Sequence, residues 1–134
     1  MKRALKTGFL PIIVAGLFLA ITCLPALAFE TEIDIAPKVL NIQSNGEVVT
    51  VHTEIPYSDV AASSVLLNGV AIDWWKVDNQ GNFVAKFVMN EIKDLSLVIG
   101  GYNTLTLLGV TTWGEAFFGE EDVKVIDVEP QGNK

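Results

Sequence analysis

The sequence predicts an all-β fold, an antiparallel β-sandwich of about seven to nine short strands. Apolar and polar residues alternate over short runs, most clearly in residues 31–35 and 83–89. Turn residues rich in Gly and Asn separate these runs at regular intervals. Residues 90–97 have the spacing of a short helix, with Asn90 expected as its N-cap, and residues 57–63 are expected as a loop that has room for one helical turn. A small barrel is the structural alternative.

Each expected strand is bounded by residues that turn the chain. Ser-Asn-Gly at 44–46 is expected to turn the chain, because Asn and Gly tolerate positive φ, and Asn-Gly at 68–69 favours a tight hairpin. Pro56 ends a long strand because it cannot donate to a ladder. Residues 78–82 are expected as a polar turn. The expected strands are residues 31–35, 39–43, 47–55, 64–67, 70–77, 83–89, 103–111, 115–118 and 123–128. The absence of a Cys…Trp…Cys framework excludes an antibody-type domain, although the strand pattern is immunoglobulin-like.

Residues 1–28 have the layout of a secretory signal peptide. A basic start precedes an apolar run at 9–24 and an Ala-Leu-Ala cleavage site at 26–28. A membrane anchor is the alternative, but the run is short for a span of about 20 residues. Lipid attachment at Cys23 is a weaker alternative, since the preceding residues fit that signal poorly. We therefore expect one domain, residues 29–134, in the periplasm or outside the cell, with no stable membrane insertion after cleavage.

The composition of residues 29–134 excludes several classes of function. They contain no cysteine and no arginine, and six lysines face 16 acidic residues. A disulfide, a thiolate metal site and a cysteine nucleophile are therefore excluded. Nucleic acid is disfavoured because phosphate binding needs clustered Lys and Arg. The excess of acidic residues is explained by a need for solubility, or by a cationic partner such as calcium. No cofactor is expected.

Aromatic residues are the candidate binding positions. Trp74 and Trp75 are adjacent, so a strand directs one towards the core and the other to an outer face or an edge. Trp113 lies in a Thr-Thr-Trp-Gly turn. An exposed Trp stacks on sugars or anchors a protein partner, whereas packing under loops is the structural alternative.

Catalytic and metal sites are weakly indicated. His52 is the single histidine and is expected on the surface of a strand, and no catalytic residue is assigned. Asp78 and Asn82 have part of the spacing of a calcium loop, but the position of its closing Glu is occupied by Met89. Glu121 and Asp122 belong to an acidic run at a strand start. These four are weak calcium candidates beside the simpler interpretation as turn and edge residues.

Five short motifs follow one another along residues 33–128. They are LNIQSNG (40–46), EIP (54–56), SVLLNGV (64–70), FVAKF (83–87) and GEEDV (119–123). In order and spacing they resemble an immunoglobulin-like module found in secreted and surface proteins of bacteria and archaea. The family hairpin usually carries several aspartates, whereas residues 78–82 carry only Asp78. The resemblance implies a fold and an exported setting but no reaction.

The leading functional prediction is therefore an exported, non-catalytic module for protein interaction or envelope structure. Its expected partner is an envelope or extracellular protein, with polysaccharide as the other candidate. A carbohydrate- or calcium-binding accessory module is the first alternative. A small secreted hydrolase is the second, and the lone histidine and missing cysteine argue against it.

Overall fold

A computed structural model describes residues 28–129, which form two β-sheets and one short α-helix. Most of the predicted signal peptide, including Cys23, and residues 130–134 lie outside the described part of the chain. The strands are β1 (Phe29–Glu30), β2 (Ile33–Ala36), β3 (Val39–Asn41), β4 (Val48–Pro56), β5 (Leu66–Leu67), β6 (Val70–Ala71), β7 (Trp74–Val77), β8 (Asn82–Val88), β9 (Gly101–Val110) and β10 (Ala116–Ile126). The helix α1 (Met89–Lys93) follows β8. Within residues 28–129 no helix has the length and apolarity needed to cross a membrane.

The strands divide between a four-stranded and a six-stranded sheet. The first has the order β2-β4-β8-β7 and is antiparallel throughout. The second has the order β1-β10-β9-β5-β6, and β3 also pairs with β10. The expected all-antiparallel arrangement is wrong at β1 and β3, because both pair with β10 in the parallel direction.

The core lies between the two sheets, and both supply its side chains. Alternate residues of β4 are buried, as the period of a half-buried strand requires, and β8 follows the same pattern except that Val84 is buried as well. Phe83 and Phe87 from the four-stranded sheet and Phe117 from the six-stranded sheet are almost fully buried. Burial of each such ring contributes roughly 1.5–3 kcal/mol to stability. The expected all-β, two-sheet architecture is confirmed at this level.

A single long strand replaces two expected short ones near the C-terminus. Residues 115–118 and 123–128 were expected as separate strands with residues 119–122 between them, but β10 runs without interruption from Ala116 to Ile126. Glycine is required at position 119 because another segment of the backbone lies close to it, and not because the chain turns there. A Cβ at this position would lie 2.6 Å from both the Thr31 carbonyl oxygen and Ile33 Cγ2. Such an approach of a second backbone requires glycine.

Two further boundaries differ from expectation. The strand expected over 70–77 is divided into β6 and β7, and the Asp73 N–H donates to the Lys86 carbonyl at 2.8 Å where β7 begins. The helix is shorter than residues 90–97 and begins at Met89. No side chain caps it, so Asn90 is not its N-cap. Burial of Met89 and Ile92 holds this single turn in place.

Candidate functional site

The site is built on β7, the outermost strand of the four-stranded sheet. Trp75 lies opposite the buried Ala85 and therefore on the inner face, whereas Trp74 lies opposite Lys86 on the outer face. The expected opposite orientation is thus observed, but neither ring is buried. Trp74 is 46% and Trp75 38% exposed, because β7 has a neighbour on one side only. We call the free side of Trp74–Val77 the β7 edge.

The hairpin that follows β7 determines which backbone groups face outward. The Asp78 N–H donates to the Asn82 carbonyl at 2.9 Å, and Gly81 has a φ of +85° in the three-residue loop between them. Hydrogen-bonded and non-hydrogen-bonded pairs alternate along an antiparallel ladder. Counting back from Asp78, Trp75 and Val77 belong to non-hydrogen-bonded pairs. Their N–H and C=O groups consequently point away from β8, towards the open side of the sheet.

Two lysines accompany Trp74 on the outer face beside the β7 edge. The Lys86 Nζ lies 5.4 Å from the centre of the Trp74 ring and donates a hydrogen bond to Thr50 Oγ1 at 3.1 Å. Burial lowers the pKa of Lys86, and the neighbouring positive charge of Lys76 lowers it further. Among residues 28–129, neither lysine has a carboxylate oxygen within 4.0 Å. The two lysines therefore form a small cationic cluster in a chain whose net charge is −7, on an outer face that also carries Asp34, Glu54 and Asp78.

The opposite edge of the same sheet is closed. The outward N–H of Ile35 in β2 donates to Glu121 Oε1 at 2.6 Å, and Lys38 donates to Glu121 Oε2 at 2.9 Å. Lys38 also pairs with Asp34, and these two carboxylates raise its pKa. Side chains blunt β2 in the way that natural edge strands are protected. Across the described residues no side chain provides a similar cap for the outward groups of Trp75 and Val77.

The third tryptophan is separate from this pair. Trp113 lies in the turn between β9 and β10, is 62% exposed and donates from Nε1 to Glu115 Oε1 at 3.1 Å. The turn is fixed by Thr111 Oγ1, which accepts the Glu115 N–H at 2.9 Å. Trp113 borders an open groove of about 530 Å³. Five carboxylates line the same groove, those of Glu30, Glu32, Glu54, Asp59 and Glu115.

The four calcium candidates lie in two places. Asp78 and Asn82 belong to the β7–β8 hairpin, where Asp78 Oδ1 accepts the N–H groups of Gln80 and Asn82 at 2.8 and 2.9 Å. Glu121 and Asp122 belong to β10, in the other sheet. Asp122 Oδ1 accepts from Thr104 Oγ1 at 2.7 Å. In the described part of the chain no three His, Cys, Asp or Glu side chains are arranged to hold a metal ion.

The same hairpin bonds have an electrostatic consequence. The hydrogen bond from the Asn82 N–H is the main cause that lowers the pKa of Asp78, with a smaller one from the Gln80 N–H. His52 adds a minor attraction from the outer face of β4. His52 is half-buried in mid-strand, opposite Asp34 on one side and Val84 on the other. The position expected for it, on the surface of a strand, is the one it occupies.

Sequence reasoning identified both tryptophans of β7 but missed Lys76, Lys86 and the outward groups of Val77. Lys86 and Trp74 lie on the two strands of a hairpin, so the position of Lys86 over the Trp74 ring depends on the register in which β7 and β8 pair. The signal for the site was the segment DWWKVD, a short aromatic strand followed by a polar turn. Searches of protein-family models, curated proteins and solved structures returned no match to this chain.

Proposed function

We propose that this chain is an exported, non-catalytic interaction module. In this proposal residues 1–28 are a cleaved signal peptide, and residues 29–134 are an immunoglobulin-like β-sandwich in the periplasm or outside the cell. The module acts by contact with an envelope or extracellular protein. The β7 edge carries the proposal, because it combines two exposed indole rings with unpaired backbone groups. Such edges take up an extended segment of a partner as an additional strand.

Natural edges are normally protected, and this contrast supports the choice of β7. The β2 edge of the same sheet is capped by Glu121, and β5 and β6 have only two residues each. β7 has four residues, all exposed, and two of them are tryptophan. Tryptophan is enriched among the residues that dominate binding energy at protein interfaces. An aromatic edge whose outward backbone groups have no side-chain cap among the described residues is best explained by a partner that covers it.

Site-specific crosslinking in the producing cell tests the proposal. Benzoylphenylalanine is placed at position 75 of the full chain, and covalent adducts are identified by mass spectrometry. The matched control carries the same group at position 102, because Tyr102 is also aromatic and is 69% exposed on the other sheet. We expect a defined envelope-protein adduct from position 75 and none from position 102. The intact mass of the recovered protein is expected to be that of a chain that begins at Phe29.

Either of two results would overturn this proposal. Adducts of equal yield and composition at positions 75 and 102 would show non-specific contact. A protein recovered from the cytoplasm with residues 1–28 intact would remove the exported setting. Adduct formation at position 75 that is abolished by a competing unlabelled copy of the protein would confirm a saturable interface.

A carbohydrate-binding module is the second candidate, favoured by the groove at Trp113. An exposed indole next to carboxylates offers a stacking face and hydrogen-bond acceptors for sugar hydroxyls. The test is retention of the protein on cell-wall polysaccharide, compared between Trp113→Ala and Trp74→Ala. Loss of retention in Trp113→Ala alone would support this candidate. Equal retention of both variants and the parent protein would reject it.

A further inference from the structure

We propose that the β7 edge binds an extended segment in which acidic and apolar residues alternate. The segment adds to the four-stranded sheet as a fifth strand beside Trp74–Val77. This inference rests on the proposed function and specifies the chemistry of the partner at the same site. Two independent features carry it, the outward backbone groups of the β7 edge and the lysines on its outer face.

The backbone groups fix where each residue of the added segment lies. Trp75 and Val77 each present one N–H donor and one C=O acceptor to the open side. Residues of the segment opposite these two form hydrogen-bonded pairs with them. Since residues directly opposite one another share a face, these partner side chains project to the inner face, beside the rings and methyl groups of the core. Apolar side chains suit these positions.

The remaining residues of the segment lie opposite Trp74 and Lys76 and project to the outer face. There the Lys76 ammonium and the Lys86 ammonium above the Trp74 ring have no carboxylate within 4.0 Å among the described residues. A side chain of the segment directly opposite Lys76 has its Cβ about 4.5–5.5 Å from that of Lys76, which is within reach of a lysine–carboxylate pair. Lys86 lies one strand further from the segment and donates to Thr50, so it adds positive charge behind Trp74. Acidic side chains therefore suit these positions.

A second copy of this chain fits the edge less well. A two-fold axis through the Lys76 pair would place two lysines directly opposite each other, which is destabilising. A register centred on Trp75 places Lys76 against the tryptophan of the second copy. A register centred on Val77 places Lys76 against the second copy's Asp78, whose Oδ1 already accepts two hydrogen bonds within its own hairpin. Addition of β2 from another copy is blocked, since the outward Ile35 N–H is already bonded to Glu121. Charge complementarity thus favours an acidic segment over self-association.

The binding test uses fluorescein-labelled peptides and the protein without its leader, residues 29–134, as isolated from the envelope. The probe is a peptide of alternating Glu and Val, and its matched control has Lys in place of Glu. Fluorescence anisotropy gives the two dissociation constants. We expect the Glu peptide to bind at least about tenfold more tightly, a difference of about 1.4 kcal/mol. The variant Lys76→Glu is expected to reverse this preference.

Backbone pairing is tested from both sides of the interface. Val77→Pro removes an outward N–H and leaves the hydrogen bonds to β8 intact, so binding is expected to be lost, whereas Val77→Ala retains it within about threefold. N-methylation of the peptide valines abolishes binding without altering the protein. N-methylation of the glutamates, whose N–H groups face away from β7, is the control and leaves the affinity unchanged.

Three outcomes would overturn the inference: equal affinity for the Glu and Lys peptides, equal effects of the two N-methylated peptides, or a dimer that occupies the β7 edge and excludes peptide. The last is detected by sedimentation of the parent protein against Val77→Pro. If position 75 captures an envelope protein while the Glu peptide does not bind, the interaction module stands and its acidic specificity is wrong. If neither is observed, both proposals fail.

Discussion

Gly109 in β9 is predicted to be a position where a single added methyl group destabilises the fold. Gly109 lies directly opposite Phe117 in β10, and the buried Phe117 ring covers it. A Cβ at position 109 would lie 2.9 Å from Phe117 Cε2 and closer still to Cζ. Ordinary carbon contacts are about 3.5–4.0 Å, so the ring must move by roughly 1 Å in a packed core.

The magnitude follows from two opposing terms. Overpacking of this kind costs about 1–3 kcal/mol. Replacement of a strand glycine by alanine returns about 0.5–1 kcal/mol of backbone entropy. The variant Gly109→Ala is therefore expected to lose about 1–2 kcal/mol of unfolding free energy. With a urea m-value of about 1–3 kcal/mol/M, its midpoint falls by roughly 1 M at an unchanged m.

Equilibrium urea unfolding followed by circular dichroism measures this change. Gly101→Ala is the matched control in the same strand, because its Cβ would meet only Val98 Cγ1, at 3.9 Å. We expect its midpoint to be unchanged or higher. Phe117→Leu removes the clashing ring atoms, so its cost is expected to be smaller in the Gly109→Ala background than in the parent. Equal midpoints for the Gly109 and Gly101 variants would refute the reasoning.

Three further predictions concern the closed edge and the β7–β8 hairpin. Glu121→Ala leaves the buried Ile35 N–H without an acceptor and is expected to lower the free energy of unfolding in urea by about 1–3 kcal/mol. Glu121→Gln keeps an acceptor and is expected to lower it less, so equal losses in the two variants would contradict this prediction. The raised pKa of Lys38 implies a stabilisation that is fully present below the unfolded pKa and is lost as pH rises through the folded pKa. The difference in unfolding free energy between the parent and Lys38→Met should therefore vanish at strongly alkaline pH. The lowered pKa of Asp78 implies the opposite pH dependence: its stabilising contribution is present above the unfolded pKa and is lost as pH falls through the folded pKa. The stabilities of Asp78→Asn and of the parent protein should therefore converge in acid. Stability curves that stay parallel over the whole pH range would contradict this prediction.

Local turn chemistry was predictable from the sequence at two turns, but not at residues 44–46, where neither Asn45 nor Gly46 has the expected positive φ. Asn68 and Gly69 were expected to form a tight hairpin turn, and both have positive φ, 47° and 86°, between β5 and β6. Residues 78–82 form the expected polar turn, closed by Asp78. These predictions succeed because the residues that make the turn are adjacent in the chain.

Features set by distant segments were not predictable. Residues 119–122 were expected to separate two strands, whereas β10 continues through them and Gly119 is required by the Thr31 backbone, which lies far away in the sequence. Similarly, alternation predicted that Trp74 and Trp75 face opposite sides, but it gave no indication that their strand lies at the end of a sheet. Edge status depends on which strands pair, and a single sequence does not encode that locally.

The pairing of β1 and β3 with β10 sets an order of events for the newly made chain. β1 begins at Phe29 and β10 ends at Ile126, so the first and last strands of the described region are hydrogen-bonded neighbours. Neither β1 nor β3 acquires its partner until the ribosome has synthesised almost the whole polypeptide. Contacts of such long sequence separation form late and slow the folding reaction. The four-stranded sheet contains neither of these late pairings and can form first, whereas the six-stranded sheet is completed only when β10 arrives.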